Sequence, residues 1–332
     1  MSWISRVLLL LSCCLVSAAA WAESNQVRIA QPYGLLYLPS YVVVDRHLIE
    51  QKAEAAGLGK VTVTLTRLAS GPAGSDMLLA GDADLAMGGF GPALTIWDRS
   101  HGRVKGFTPL CSSPMFLIST DPRIHTLADY TDKDRIAVSA IKVTDQAITL
   151  EMAAAKQWGW DARFRLDPLT VAMSNPDGLA ALLGGLSEVR NQAAIIPFAE
   201  TELESGKAHL VMTSDDVLEP GSTSAMIYAT QAFHDGNPKL FAITAEAFEE
   251  AIEWTRTHTP EAAAIYLARE PNKEGQAWIE HIMSDPSRIR YSSTPKGMLT
   301  HAQFMYKLGT LRSVPASWKD LFWENMWGKD GS

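Results

Sequence analysis

The chain has 332 residues, length enough for two domains of ordinary size, and a formal net charge of −8. An acidic balance of this kind argues against nucleic acid as a partner. Three cysteines are too few for a disulfide framework.

The amino end reads as an export signal. Met1 to Arg6 is short and carries one positive charge, Arg6. An apolar run from Val7 to Val16 follows, broken only by Ser12, and Ala20-Trp21-Ala22 supplies the small residues of a cleavage site before Glu23. The run is too short to span a bilayer, which takes ~20 apolar residues. Leu11-Ser12-Cys13 loosely matches a lipidation box, but cutting there would leave too short an apolar core. The expected destination is therefore the periplasm, without a lipid anchor. Cleavage removes Cys13 and Cys14, makes the chain one unit more negative and leaves Cys111, which cannot form an intramolecular disulfide.

Strand and helix then alternate. Val27 to Ala30 predicts a strand, followed by the loop Gln31-Pro32-Tyr33-Gly34 and a helix from about Pro39 through Ala56, stopped by Gly57. The β-branched run from Val61 to Leu65 predicts a second strand. A helix opens at Gly71-Pro72 and ends near Ala80-Gly81, and a buried strand from Ala83 to Met87 runs into Gly88-Gly89. The middle repeats the scheme with a strand from Arg135 to Val138, a helix from Asp145 to Trp158 and a strand from Ala193 to Ile196. From about Ala242 the chain reads as mainly helical. A last helix is expected from Pro315 to Trp327, its Trp318, Leu321, Phe322 and Met326 forming a packing face. Alternation of this kind signals an α/β fold with largely parallel sheets. One internal echo points to two lobes on one plan: Gly71-Pro72 precedes Leu78-Leu79-Ala80-Gly81, and Asn175-Pro176 precedes Leu182-Leu183-Gly184-Gly185 at the same spacing. Each segment reads as a helix with an early proline, a buried leucine pair and a glycine stop.

Ligands of open α/β sheets bind beyond the carboxyl ends of the strands. The residues expected there are Gln31, Tyr33 and Tyr37; Ser70, Gly71 and Pro72; Gly88, Gly89 and Phe90; Lys142 and Thr144; Asn175; and Pro197 with Phe198. Ser70, Thr144 and Asn175 precede helices, whose first N–H groups and dipole favour an anion, although ordinary N-capping is the competing role. With Lys142 the only cation in these loops, the reading favours a small monoanion, and a cavity of clustered carboxylates would contradict it.

No spacing signature of catalysis stands out. Gly-x-Ser-x-Gly, the phosphate-binding Gly-x-x-x-x-Gly-Lys loop and His-Glu-x-x-His are missing, and Gly89-Phe90-Gly91 lacks the third glycine of a dinucleotide fingerprint. No two of the eight histidines have i,i+3 or i,i+4 spacing. Asp82 and Asp84, two apart, read as a turn acceptor and a solvated charge. The expectation is a protein that is not an enzyme and has no metal and no cofactor.

The chain resembles the nitrate/sulfonate/taurine-type substrate-binding proteins of ABC importers. The likeness is carried by Tyr37-Leu38-Pro39, by the run Leu78-Leu79-Ala80-Gly81-Asp82-Ala83-Asp84-Leu85-Ala86 with Gly88-Gly89, by Val104-Lys105-Gly106, and by Ile124-His125-Thr126-Leu127-Ala128-Asp129-Tyr130. It implies a type II periplasmic-binding-protein fold: two α/β lobes joined by two crossing strands and closing over a ligand. The crossings are expected near 116–120 and 212–224, giving one lobe of 23–117 plus 221–332 and another of 118–220. The ligand residues it implies are Tyr33, Tyr37, Ser70, Gly71, Gly89, Phe90, Lys142, Thr144 and Asn175, with Phe198 added by the loop reading. A small organic anion of sulfonate or carboxylate type is the expected ligand, although little arginine stands in these loops and the aromatic residues would also suit a heterocycle. The expected partners are a permease and an ATPase, with the chain itself a monomer. The resemblance extends more weakly to thiamine-pyrimidine synthase-like enzymes, whose cysteine-rich motif this chain lacks. A ligand sensor for a membrane receptor would need the same clamp.

Overall fold

The computed structural model describes residues 23–185 and 188–332. The expected export signal, with Cys13, Cys14 and the Ala20-Trp21-Ala22 site, lies outside the described residues. Among the described residues no helix is long and apolar enough to cross a membrane.

The first sheet grows from β1 (Gln26–Pro32), which pairs in parallel with β2 (Thr62–Leu68) on one side and β3 (Leu85–Gly88) on the other. In β1, Val27 and Ile29 enter the core. Arg28 points the other way and grips Asp84 through Nη2–Oδ1 (2.8 Å) and Nε–Oδ2 (3.1 Å), so Asp84 is an ion-pair partner and not a free solvated charge. The single helix expected from Pro39 to Ala56 is two helices, α1 (Leu38–Asp45) and α2 (Leu48–Ala55), parted at His47, which takes a left-handed φ of 52°. No glycine or proline marks this break.

Helix α3 (Gly71–Ala80) carries the chain from β2 to β3, and α4 (Phe90–Arg99) leads on to β4 (Val104–Ser112). The chain then passes through 113–115 into β5 (Phe116–Ser119), the first strand of a second sheet. Residues 116–119, expected within a crossing, are thus already hydrogen-bonded on both edges, and the crossing falls just before them.

The second sheet repeats the plan of the first. Strand β6 (Ile136–Val138) is followed by α5 (Asp145–Trp158), β7 (Thr170–Ala172), α6 (Asn175–Gly184) and β8 (Asn191–Ala194), with β6 parallel to both β7 and β8. Strand β8 begins two residues earlier than expected. Asn191, which reads as a loop residue, is fully buried, accepting from the Tyr130 hydroxyl and donating to the Arg135 carbonyl. Helix α7 (Phe198–Glu204) and β9 (His209–Thr213) complete the lobe, and the chain returns through 214–224 into β10 (Ala225–Thr230).

After β10 come α8 (Gln231–Gly236), α9 (Pro238–Thr257), α10 (Thr259–Arg269), α11 (Gln276–Ser284), the short strand β11 (Arg290–Tyr291) and α12 (Met298–Leu308). The orders are β11-β4-β10-β3-β1-β2 and β7-β6-β8-β5-β9. In each sheet the strand that arrives by a crossing, β10 or β5, lies antiparallel between its neighbours. The internal echo is therefore structural: α3 and α6 are both ten residues long, both carry proline in the first turn, and both end on a left-handed glycine, Gly81 or Gly185. Only the first leucine of each pair is buried, since Leu79 is 60% exposed.

The expected last helix is absent as such. Trp318–Leu321 and Glu324–Met326 form short 3₁₀ turns. Trp318, Leu321, Phe322 and Met326 are nevertheless buried, with Phe322 bridged to Gly106 of β4, so the packing role holds without the helix.

His301 of α12 stacks on the Phe90 ring with centroids 3.6 Å apart, and burial pushes its imidazole down to about 4. The unfolded chain takes up that proton near 6.5, so between these values the unfolded state binds more protons and stability falls as pH falls. The difference in unfolding free energy between His301→Phe and wild type should change by up to about 3 kcal/mol from pH 7 to pH 4. Urea titrations at both pH values would measure it, and parallel pH profiles for the two proteins would refute it.

Candidate functional site

The carboxyl ends of the parallel strands in the two sheets face one another, and three spaces lie along the seam. The central one, a cavity of about 50 Å³, is walled by Tyr37, Gly71 and Gly89 from the first lobe, by Ser139, Thr144, Asp145, Gln146, Asn175 and Ile195 from the second, and by Ser224 at the end of the return crossing. A chamber of about 690 Å³ on the crossing side shares Leu36, Asp145, Gln146, Ile195 and Ser224 with it and adds many hydroxyls, among them Ser113, Ser214 and Thr223. A third space of about 610 Å³ lies between Tyr33, Arg67, Tyr266 and Glu270 of the first lobe and Pro176, Leu183 and Phe198 of the second.

Five of the ten residues expected from sequence, Tyr37, Gly71, Gly89, Thr144 and Asn175, meet at the central cavity. Tyr33 and Phe198 face each other across the third space. The remaining three line none of these spaces. Ser70 is buried at the start of α3, where its side chain makes no capping bond. The Phe90 ring is turned into the core against His301. Lys142, in a left-handed conformation with φ 68°, is exposed, its charge acting on the carboxyls of Glu151 and Asp167.

The helix ends behave mostly as caps. Thr144 Oγ1 accepts from the Ala147 N–H (3.4 Å) and donates to the Ala140 carbonyl (2.8 Å). Asn175 is not the cap of α6, because Ser174 takes that role and accepts from the Asp177 N–H at 3.3 Å. Asn175 Oδ1 instead accepts from Gln146 Nε2 (3.0 Å), which also donates to the Ala193 carbonyl (2.6 Å), while Gln146 Oε1 accepts from the Ser139 N–H (2.6 Å). Gln146 is thus the hub of a buried amide network that no sequence pattern announces.

Asp145 is the second residue the sequence conceals, since an acid in the first turn of a helix is commonplace. Here its carboxylate crosses the seam. Oδ1 accepts from the Gly91 N–H at 2.6 Å and Oδ2 from the Phe90 N–H at 3.1 Å, so α5 of one lobe caps α4 of the other. Burial pushes this carboxyl up to about 7, against the downward pull of the Gly91 and Phe90 N–H groups. A Cβ on Gly89 would fall onto the Asp145 carboxylate, and one on Gly91 would press within 3.0 Å of Asp145 Oδ1 and Ile148 Cδ1. The glycines are what admit the carboxylate. Other contacts tie the lobes together: Leu35 N–H donates to the Ile196 carbonyl (3.3 Å), Arg288 meets Glu200 (3.1 Å), Trp278 donates to Glu204 (2.7 Å), and Lys307 lies over the Trp160 ring (4.1 Å).

Two sheets of matching strand order, linked by two crossings and meeting at the carboxyl ends of their parallel strands, decide the fold. It is that of the periplasmic binding proteins. The chain is similar in structure to the alkanesulfonate-binding protein SsuA from Xanthomonas axonopodis pv. citri bound to MOPS, at TM-score 0.71 and 16% identity over 88% of this chain and 96% of that one. It is similar to the periplasmic nitrate-binding protein NrtA from Synechocystis PCC 6803, at TM-score 0.71 and 16% identity over 92% and 88%. The periplasmic aliphatic sulphonate binding protein SsuA from Escherichia coli matches at TM-score 0.66 and 16% identity over 92% and 99%. No family model matches the sequence, and no curated protein matches it. Among the described residues no cluster of three His, Cys, Asp or Glu side chains is placed to hold a metal ion.

Proposed function

We propose that this chain is the periplasmic ligand-binding component of an ABC-type importer, holding a small organic molecule between its lobes and delivering it to a permease driven by an ATPase. The observation that carries the reading is the central cavity, walled by loops from the carboxyl ends of both sheets and bridged by hydrogen bonds from one lobe to the other. A clamp whose two halves each supply part of one wall can couple ligand capture to a shape that a membrane partner recognises. The moving bodies in this reading are 23–112 with 225–332, and 116–213, joined by the crossings 113–115 and 214–224, and the chain acts as a monomer after loss of its export signal. The ligand residues are Tyr37, Gly71, Gly89, Thr144 and Asn175 around the central cavity, joined by Gln146, with Tyr33 and Phe198 at the neighbouring space.

The alkanesulfonate and nitrate named for the structural neighbours favour an organic anion of sulfonate or carboxylate type, whereas the helix ends along the seam, largely capped by the protein, do not. Asp145 bears directly on that charge. A thermal-shift panel of sulfonates, carboxylic acids, amines, amidines and small heterocycles tests the reading. A ligand that binds only the folded state stabilises it by about 2.7 kcal/mol at a hundredfold excess over Kd. At least one class should raise the melting temperature in a saturable way. Turnover of a compound, with no saturable shift from any, would defeat the proposal.

A further inference from the structure

We propose that Asp145 selects the charge of the ligand: seated on the amino end of α4, this carboxylate closes that end to sulfonates, nitrate and carboxylates and turns its remaining acceptor capacity toward an amine or amidine. The inference rests on the clamp reading above.

An anion taken out of water needs donors to replace its hydration. Of the helices of eight or more residues that start along the seam on the second lobe and at α4, each of the three has a first-turn N–H met by a side chain of the protein. The α4 end is met by Asp145, α5 is capped by Thr144 and α6 by Ser174. Helix α3 has no side-chain cap, but it opens with Gly71-Pro72, and proline removes one of its first-turn donors. Above about pH 7, where Asp145 is ionised, a second anion beside it would add like-charge repulsion in a partly desolvated space.

A carboxylate has about four acceptor sites. At Asp145 the Gly91 and Phe90 N–H groups and its own N–H use three of them, and among the described residues no side chain donates to the remainder. The residue lines both the 50 Å³ cavity and the 690 Å³ chamber, so a ligand entering through the larger space reaches it. Arg290 and Lys296 also wall that chamber, but both are exposed and share it with Asp215, Glu219 and Asp330, so they do not reverse its sign. Gly89 and Gly91 leave room for the carboxylate and for nothing larger on their own Cα atoms.

The test uses the mature chain, wild type, Asp145→Ala and Asp145→Asn, titrated at pH 8 with methanesulfonate, acetate, methylammonium and acetamidinium, followed by amide NMR shifts. Wild type should respond to one or both cations and to neither anion, with shifts at Phe90 and Gly91. Both variants should bind the cations at least tenfold more weakly, and Asp145→Ala should gain methanesulfonate binding at those same amides. Asp145→Asn keeps the size of the side chain and serves if the alanine variant does not fold. Methanesulfonate bound by wild type at Phe90 and Gly91, or cation affinity unchanged in both variants, overturns the charge assignment while leaving the clamp intact. Silence of folded wild type and both variants toward all four compounds counts against the clamp and the assignment together.

Discussion

Alanine at position 89 should hold the lobes apart. Gly89 has φ −84° and ψ −165°, a conformation open to any residue, so Gly89→Ala introduces no backbone strain. The three atoms nearest to the added Cβ all belong to the Asp145 carboxyl group. To escape, Asp145 must release the Phe90 and Gly91 N–H groups and leave the end of α4 bare. Hydrogen bonds to a charged group contribute ~1.5–3 kcal/mol each, and loss of about 3 kcal/mol from the closed form weakens capture roughly a hundredfold. Amide exchange at Phe90 and Gly91 should accelerate, and small-angle scattering should show a larger radius of gyration. The double variant Gly89→Ala with Asp145→Ala should match Asp145→Ala alone, because both lack the Phe90 and Gly91 bonds and the collision has lost its partner. Gly91→Ala is the contrast: its Cβ would also press on Val143 O at 2.9 Å and Ile148 Cδ1 at 2.8 Å, so it should impair closure further even in the Asp145→Ala background. If Gly89→Ala leaves exchange and scattering as in wild type, the cross-lobe contact has no role in closure.

Periodicity and punctuation carried the architecture because the two lobes are built from the same local signals. Proline in the first turn and glycine at the end set α3 and α6 with the same length, and Asp145 to Trp158 forms α5 with both limits as expected. Those signals fail where tertiary contacts decide. His47 breaks a helix without a breaker residue, Asn191 starts a strand because its amide is satisfied inside, and the carboxyl-terminal stripe packs as 3₁₀ turns along β4. The site shows the same division. Position beyond a strand end was enough to gather Tyr37, Gly71, Gly89, Thr144 and Asn175 at one cavity. It did not bring Lys142 to these spaces, since the left-handed turn after Ile141 leaves that residue exposed, and it passed over Asp145 and Gln146. A helix-start acid and a glutamine have no distinctive spacing, and what sets them apart is a partner more than fifty residues away in one case and a buried network in the other.

Removing the Glu270 carboxylate should cost more stability than any surface change in this protein. Glu270 is buried just after α10, where it accepts from the Tyr41 hydroxyl (2.6 Å), from the Tyr266 hydroxyl (3.1 Å), and from the Gly34 N–H with both oxygens at 3.1 Å. Burial pushes its carboxyl above the usual range, while Tyr41, Gly34 and Tyr266 pull it back. Glu270→Ala leaves three buried donors without an acceptor, at ~1–3 kcal/mol apiece, and unfolding in urea should require about 5 kcal/mol less than in wild type. Tyr41→Phe should cost far less by itself, and in the Glu270→Ala background it should cost almost nothing, because the hydroxyl it removes is already unpaired. The loss should also reach the seam. Gly34, at φ 122°, holds the turn after β1 in a conformation that favours glycine, and its neighbour Leu35 donates to Ile196 of the facing lobe. Amide exchange at Leu35 should therefore rise in Glu270→Ala even at temperatures where the fold survives. A variant within 1 kcal/mol of wild type, or one in which Tyr41→Phe costs as much as it does in the wild-type background, would show that the carboxylate does not organise this turn.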